Sequence, residues 1–115
     1  MIARTWRGWT KPEDGAAYET VFRTIVLPHL DGVEGYKQAF LFRRDVNDEV
    51  EFVVLTLFNS IDAVKRFAGE DYESAVISDE AKRVLKRFEE RVTHYEIAVV
   101  TDGCSSPFRS DLIGS

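Results

Sequence analysis

The sequence predicts an α+β fold with one antiparallel sheet, and residues 51–58 are the most informative part of that sheet. This run alternates as a strand does, and both of its faces are apolar: one carries Phe52, Val54 and Phe58, the other Val53, Leu55 and Leu57. A sheet covered by helices on one face is usually polar on the other. The second apolar face therefore needs a cover. In a chain of 115 residues, the simplest cover is a second copy of the chain, packed sheet against sheet.

The first element is a strand over residues 2–9, with Ile2, Arg4 and Trp6 on one face. Thr10 and Glu13 have the spacing of a capping box, which predicts that a helix begins there. The following apolar residues recur at helical spacing as far as Pro28, which ends or kinks the helix.

The middle of the chain predicts a β-hairpin. Residues 36–44 form its first strand, and we place Tyr36, Phe40 and Phe42 on one face of it. Residues 45–48 (DVND) form the turn into the strand at 51–58.

The second half predicts a helical region and a last strand. Ser60 caps a short helix that Gly69 ends. Residues 71–79 are irregular or partly helical, an apolar stripe over 81–88 predicts another helix, and residues 92–101 form the last strand. The order βαββαβ predicts a ferredoxin-like antiparallel sheet with the first and third strands in the centre. Two such sheets packed face to face form a dimeric α+β barrel.

Residues 1–101 are expected to form one domain, and residues 102–115, rich in Gly and Ser, a flexible tail. The net charge of −5 comes from interleaved acidic and basic residues, which argues against nucleic acid as the main partner. No apolar run approaches the ~18 residues of a membrane span, and the N-terminus does not resemble a signal peptide. The single cysteine, Cys104, cannot form an intramolecular disulfide, which favours a cytoplasmic location.

The candidate functional residues are few. His94, in the last strand, is a candidate general base, although a histidine hydrogen-bonded within a half-buried sheet explains it as well. Arg4 and Trp6 share a strand face and are candidates for lining a pocket, and Tyr72 lies in an irregular segment suited to a pocket lip. Core packing is the alternative explanation for the aromatic residues. The two histidines and the single cysteine lack the spacing of a metal site, and neither dinucleotide-binding nor phosphate-loop motifs occur.

Several segments together resemble the antibiotic biosynthesis monooxygenase family. They are residues 2–8 (IARTWRG), 53–58 (VVLTLF), 60–63 (SIDA), 67–72 (FAGEDY) and 94–96 (HYE). The resemblance covers about residues 1–100 and implies the dimeric α+β barrel. Members of the family include cofactor-free oxygenases of polycyclic aromatic compounds and haem-degrading enzymes. The haem-degrading members carry a tryptophan where Phe58 stands and a haem-ligating histidine in the next helical region. Residues 61–91 contain no histidine, so the resemblance implies an enzyme without a cofactor.

The resemblance therefore implies a homodimeric, cofactor-independent monooxygenase that acts on a hydrophobic aromatic small molecule. In that enzyme His94 assists deprotonation of the substrate, Arg4 stabilises the resulting anion, and Trp6, Tyr72 and Asn59 bind the ring. The alternative is a homodimer without catalytic activity that binds a small molecule or serves a structural role. An enclosed apolar cavity containing Arg4 or His94 favours the enzyme, whereas a filled core favours the alternative.

Overall fold

The computed structural model describes residues 1–101, so the predicted tail at 102–115 lies outside the described residues. Its sheet consists of β1 (Ile2–Thr10), β2 (Tyr36–Val46), β3 (Glu49–Phe58), β4 (Leu85–Phe88) and β5 (Thr93–Glu96). The strands follow the order β2-β3-β1, and β4 and β5 both pair with the remaining edge of β1, all antiparallel. The predicted ferredoxin-like α+β sheet with the first and third strands in the centre is thus confirmed.

The first helical region runs from residue 12 to residue 31 in four pieces. A 3-10 turn (Pro12–Asp14) leads into α1 (Gly15–Val21), a π-helical segment (Phe22–Val26) and α2 (Leu27–Asp31). The helical path therefore continues beyond Pro28. Pro28 lies in the first turn of α2, where a residue without an N–H group is tolerated.

The capping box predicted at Thr10 is wrong. Thr10 is the last residue of β1, pairs with Val50 and Leu85 in the sheet, and is fully buried. Its hydroxyl donates a hydrogen bond to the Lys11 carbonyl, over 2.8 Å. Lys11 is the residue that precedes the 3-10 turn, and its side chain makes no capping bond. Sheet pairing thus takes priority over the local capping pattern.

The predicted common face of Tyr36, Phe40 and Phe42 is also wrong. The register between β2 and β3 shifts between Tyr36 and Gln38, where three residues of β2 oppose two of β3. This β-bulge reverses the alternation. Tyr36 therefore packs in the core against Phe58, while the stacked rings of Phe40 and Phe42, 5.7 Å apart, lie on the opposite face.

Of the two remaining helices, α3 (Ile61–Ala68) forms as predicted, with Ser60 accepting a hydrogen bond from the Ala63 N–H and Gly69 following at φ 88°. The helix predicted over residues 81–88 ends at Val84 as α4 (Asp79–Val84), and Leu85–Phe88 is strand β4. The edge of β1 there offers backbone hydrogen bonds that a helix cannot use. The last strand is likewise shorter than the predicted 92–101 and comprises Thr93–Glu96.

The core lies between the helices and one face of the sheet, in two clusters. One is centred on Trp6, Tyr18 and Phe52, the other on Leu30, Phe58 and Val64. The second sheet face is open in the single chain. Phe42 and Tyr95 are 48% and 57% exposed, and β3 presents three half-buried side chains on this face: Val53, Leu55 and Leu57. The predicted two-faced character of β3 is confirmed.

The close contact between Trp6 and Gly8 yields a prediction about stability. A Cβ atom at Gly8 would lie 2.4 Å from Trp6 Cη2, so Gly8→Ala forces the indole out of its position in the core. We expect the free energy of unfolding to fall by about 1–3 kcal/mol, measured by chemical denaturation. Gly32→Ala is the control, because its nearest neighbour would be the His29 carbonyl at 3.7 Å. Equal stability of the two variants would contradict the packing described here.

Candidate active site

A cavity of about 60 Å³ lies between the sheet and the helices and opens to solvent. Its lining is mostly apolar and includes Trp6, Val54, Leu30, Phe67 and Ile77. Four polar residues also line it: Arg4, Tyr18, Thr56 and Ser78. The volume is well below the roughly 300–1,000 Å³ of ordinary small-molecule pockets. A bound aromatic ring therefore requires part of the wall to move.

The pairing of β1 with β3 determines where the polar end and the apolar end of the cavity lie. Arg4 lies opposite Thr56, and Trp6 lies opposite Val54, on the helix-facing side of β1 and β3. Alternation along both strands thus aligns a polar pair beside an apolar pair. The π-helical segment supplies Val26 from the other wall.

The segment from residue 69 to residue 78 forms the lip. Its first part is attached to the sheet: the Ala75 N–H donates to the Glu90 carbonyl and the Val92 N–H to the Glu73 carbonyl, each over 2.8 Å. Residues 76–78 line the cavity, and Val76 is 45% exposed. Within this last part, Ile77 packs against the core and Ser78 caps α4 by accepting from the Ala81 N–H, so Val76 is its most exposed residue.

The guanidinium of Arg4 is buried and held by uncharged groups. Its Nη1 donates to the Tyr72 carbonyl over 2.6 Å, and its Nη2 donates to the Ser74 carbonyl over 3.1 Å. Its Nη1 also lies 3.0 Å from His94 Nε2, and its Cζ lies 5.5 Å from the centre of the Phe67 ring. The residue is 5% exposed. Within residues 1–101, the ion pairs of the structure do not include Arg4.

Burial lowers the pKa of Arg4 to about 10, because the charged guanidinium loses hydration. The side chain still carries its charge at neutral pH. A buried charge without an opposite partner is costly, so this end of the cavity favours an anion.

The contact with Arg4 determines the tautomer of His94. Arginine has only hydrogen-bond donors, so Nε2 of a neutral His94 must accept, and the proton lies on Nδ1. Among the described residues, Nδ1 is the buried side-chain polar atom that lacks a partner. Burial lowers the pKa of His94, the Arg4 charge lowers it further, and Glu73 opposes the shift. His94 is therefore neutral at pH 7.

Trp6 is fixed at the apolar end of the cavity. Its Nε1 donates to the Glu89 carbonyl over 2.8 Å, and its ring lies 6.2 Å from that of Tyr18. These contacts hold the indole in one orientation.

The sequence-predicted site residues occupy different places. Arg4 and Trp6 line the cavity. His94 and Tyr72 lie behind Arg4, with their rings 5.3 Å apart in an edge-to-face arrangement. Asn59 is exposed at the end of β3, where its N–H donates to the Gly35 carbonyl over 2.8 Å.

The sequence profile of the antibiotic biosynthesis monooxygenase family matches residues 1–77. The chain belongs to the antibiotic biosynthesis monooxygenase family. No curated protein sequence matches it. The matched region contains all of β1, β3 and α3 and most of the lip, so it supplies Arg4 and Trp6 but not His94.

Solved structures show the same fold at low sequence identity. SnoaB from Streptomyces nogalater, described as a cofactor-independent oxygenase, is similar with a TM-score of 0.61 and 14% identity over 86% of this chain and 95% of its own. Rv0793 from Mycobacterium tuberculosis has a TM-score of 0.59 and 16% identity, over 88% of this chain and 98% of its own. A conserved protein from Methanosarcina mazei has a TM-score of 0.57 and 16% identity, over 82% of this chain and 89% of its own. These likenesses establish the fold alone.

Sequence reasoning missed Thr56 as a cavity residue. Pairing β1 with β3 would have found Thr56, because the register of these two strands alone places it opposite Arg4. The apolar stripe of the first helix places Tyr18 on the face towards the sheet, but the orientation of its ring towards Trp6 depends on packing. Within the described part of the chain, no three His, Cys, Asp or Glu residues are grouped to bind a metal. None of its helices is long and apolar enough to cross a membrane.

The pairing of His94 with Arg4 predicts a titration. We expect His94 to titrate below its usual pKa of about 6.5, followed by NMR of the imidazole protons. Arg4→Met should raise this pKa, because it removes the repulsion between the two cations, whereas burial still holds it down. Arg66→Met removes an exposed guanidinium and should leave the titration unchanged. A His94 pKa at or above the usual value would contradict the assignment.

Proposed function

We propose that this member of the antibiotic biosynthesis monooxygenase family is a cofactor-independent monooxygenase of a hydrophobic aromatic small molecule. One observation carries the proposal: a buried arginine, without a carboxylate partner among residues 1–101, lies beside a neutral histidine at the end of an aromatic-lined cavity. Such a pair can accept a proton and hold the resulting anion.

In the proposed reaction the substrate supplies all the electrons. The Arg4 Nη1 donor turns from Nε2 of His94 to the substrate oxygen, the proton of the phenol or enol passes to the freed Nε2, and the oxyanion pairs with the Arg4 guanidinium. Dioxygen then forms a bond to a ring carbon conjugated with the oxyanion. The peroxide formed takes up a proton and loses water, so that a CH₂ group becomes a carbonyl. One oxygen atom enters the product and the other leaves as water.

Arg4 is able to take part without losing its place. Its three observed contacts use three of the five N–H groups of a guanidinium, so further donors remain for a substrate oxygen. Trp6 provides a fixed surface for the ring, and Tyr72 steadies the imidazole of His94. Arg4, His94 and Tyr72 thus form one connected group, and Trp6 lines the same cavity as Arg4. Asn59 stays a prediction, which an unchanged KM in Asn59→Ala would contradict.

The size of the cavity sets a condition on binding. Its volume of about 60 Å³ is smaller than the roughly 150 Å³ cavity that takes up benzene. We therefore include in the proposal an outward movement of Val76, which lines the cavity and is 45% exposed.

We further propose that the protein acts as a cytoplasmic homodimer joined through the open sheet face. That face presents apolar side chains from β2, β3 and β5: Phe40, Phe42, Val53, Leu55, Leu57 and Tyr95. Surfaces of this kind are commonly covered by a partner. Ion-pairing side chains lie at the other end of the same face, where Glu49 binds Arg87 and Glu51 binds Arg44, and they can fix the register of two copies.

The dimer is tested by placing a charge at the centre of the open face. Leu55→Asp buries a carboxylate in the proposed interface, which is costly, so we expect a monomer by light scattering at micromolar concentration. Thr20→Asp is the matched control, because it adds the same charge at an exposed position of α1. The idea is abandoned if the unmodified chain is itself a stable monomer, or if Leu55→Asp leaves the dimer intact.

The reaction is tested by dioxygen uptake with anthrone-like and flavonoid-like compounds. We expect uptake in proportion to protein and insensitive to chelators, with Arg4→Gln lowering kcat/KM by about 10²–10³-fold. Arg66→Gln, which removes an exposed cation, is the control. An Arg4→Gln enzyme as active as the unmodified protein would refute the role of Arg4.

The second candidate function is binding without catalysis, in a ligand-binding or structural homodimer. The small volume of the cavity favours this candidate, because the aromatic side chains already fill most of the space between sheet and helices. The two candidates differ in one result. If a ligand binds but none of the anthrone-like and flavonoid-like compounds causes dioxygen uptake, binding without catalysis is supported.

A further inference from the structure

We infer that Tyr18 determines specificity at the apolar end of the cavity: its hydroxyl donates a hydrogen bond to an aromatic ligand that carries a neutral acceptor there, such as a carbonyl oxygen. The inference deepens the proposed function and rests on it for the cavity as the ligand site. It concerns one uncharged contact, so its test needs neither oxygenation nor the charge on Arg4.

The Tyr18 hydroxyl has no protein partner within residues 1–101. The residue is 3% exposed, and the hydrogen bonds formed among these residues do not include its hydroxyl. In the same part of the chain, Nδ1 of His94 is the one fully enclosed side-chain polar atom without a partner. The Tyr18 oxygen therefore borders open space, and the open space that Tyr18 lines is the cavity.

The neighbours of the Tyr18 ring are apolar or already hydrogen-bonded. The ring centre lies 4.8 Å from that of Phe52 and 6.2 Å from that of Trp6. The Trp6 N–H donates to a backbone carbonyl, and Ser78 Oγ accepts from the Ala81 N–H. A buried donor without a partner is costly, so a ligand that supplies an acceptor at this point gains affinity.

This hydroxyl lies at a different end of the cavity from the arginine. Phe52, whose ring contacts Tyr18, is opposite Gly8 on β1. Gly8 is four residues from Arg4, which is roughly 13 Å along a strand. A ligand held at Arg4 therefore meets Tyr18 with a remote part of its ring system, and two contacts at opposite ends fix its orientation.

The lack of acceptors around Tyr18 determines which group binds there. Burial raises the pKa of Tyr18, so at neutral pH the hydroxyl keeps its proton and donates. If the ligand also presents a hydroxyl, the two O–H groups share one hydrogen bond, and one proton stays without an acceptor in apolar surroundings. A carbonyl oxygen brings no proton, so its bond with Tyr18 leaves no donor unpaired.

The test uses three ligands with the same ring and the same number of carbon atoms: acetophenone has a carbonyl, 1-phenylethanol a hydroxyl, and ethylbenzene neither. Binding is followed by NMR of the two indole N–H groups. Trp6 lines the cavity, whereas Trp9 lies on the opposite face of β1 and serves as the internal control. We expect acetophenone to shift the Trp6 signal with about 3–10-fold higher affinity than either of the other two ligands.

Tyr18→Phe keeps the ring and removes the hydroxyl. We expect it to lower the preference for acetophenone over ethylbenzene by about 3–10-fold. Its midpoint of chemical denaturation should stay the same or rise, because the hydroxyl that is lost had no partner. Tyr36→Phe is the matched control, since Tyr36 packs on Phe58 outside the cavity and should leave the preference unchanged.

Four results would overturn the inference. They are no binding of any of the three ligands at millimolar concentration, equal affinity for acetophenone and either of the others, a preference that survives in Tyr18→Phe, and a lower denaturation midpoint of Tyr18→Phe. The third result would assign the carbonyl to Arg4, and the fourth would show that the hydroxyl already has a partner.

The oxygenase proposal fails differently, through absence of dioxygen uptake. A preference that depends on Tyr18, found without uptake, retains the specificity contact and removes the oxygenase. Uptake without this preference does the reverse.

Discussion

The buried guanidinium of Arg4 links three segments of this molecule: the central strand, the last strand and the lip of the cavity. It extends from the central strand β1, contacts the imidazole of β5, and donates to two carbonyls of the segment that follows α3. Burying a charge costs several kcal/mol, even after the protein relaxes, and the contacts with uncharged groups offset that cost only in part. Backbone pairing already holds β5 on β1 and the lip on residues 90–92, and the Arg4 side chain adds a buried link among these three segments.

The same contacts explain why the cavity is narrow. Two lip carbonyls turn inwards to solvate Arg4 in place of water, and this draws the chain over the sheet. The aromatic side chains then fill the remaining space, with Trp6 locked by Glu89 and packed closely on Gly8. A ligand oxygen can bind the N–H groups of Arg4 that the two lip carbonyls do not use, so these carbonyls can keep their contacts when an anion binds.

The two faces of the sheet carry different kinds of residues and make different contacts. The face towards the helices holds the core and the cavity, whereas the open face carries stacked phenylalanines at one end and ion pairs at the other. Trp9 lies among the charged residues, with the Arg87 guanidinium 3.9 Å from the centre of its ring. This face thus combines an apolar area with charged pairs at one end, as specific protein–protein interfaces do.

The sequence by itself determined the order of the elements, the central place of β1 and β3, and the common face of Arg4 and Trp6. These features follow from the period of side chains along strands and helices, which is a local property. Ser60 and Gly69 likewise mark the ends of α3 through local backbone chemistry. The alternation of side chains along β1 thus places Arg4 and Trp6 next to each other on one face.

Only the tertiary structure decided the features that depend on pairing between distant segments. The bulge after Tyr36 reverses which side chains reach the core, and the free edge of β1 turns residues 85–88 from helix into strand. The approach of His94 to Arg4 joins residues 90 positions apart. No local pattern encodes these outcomes, because each results from competition for backbone hydrogen bonds and buried volume across the whole sheet.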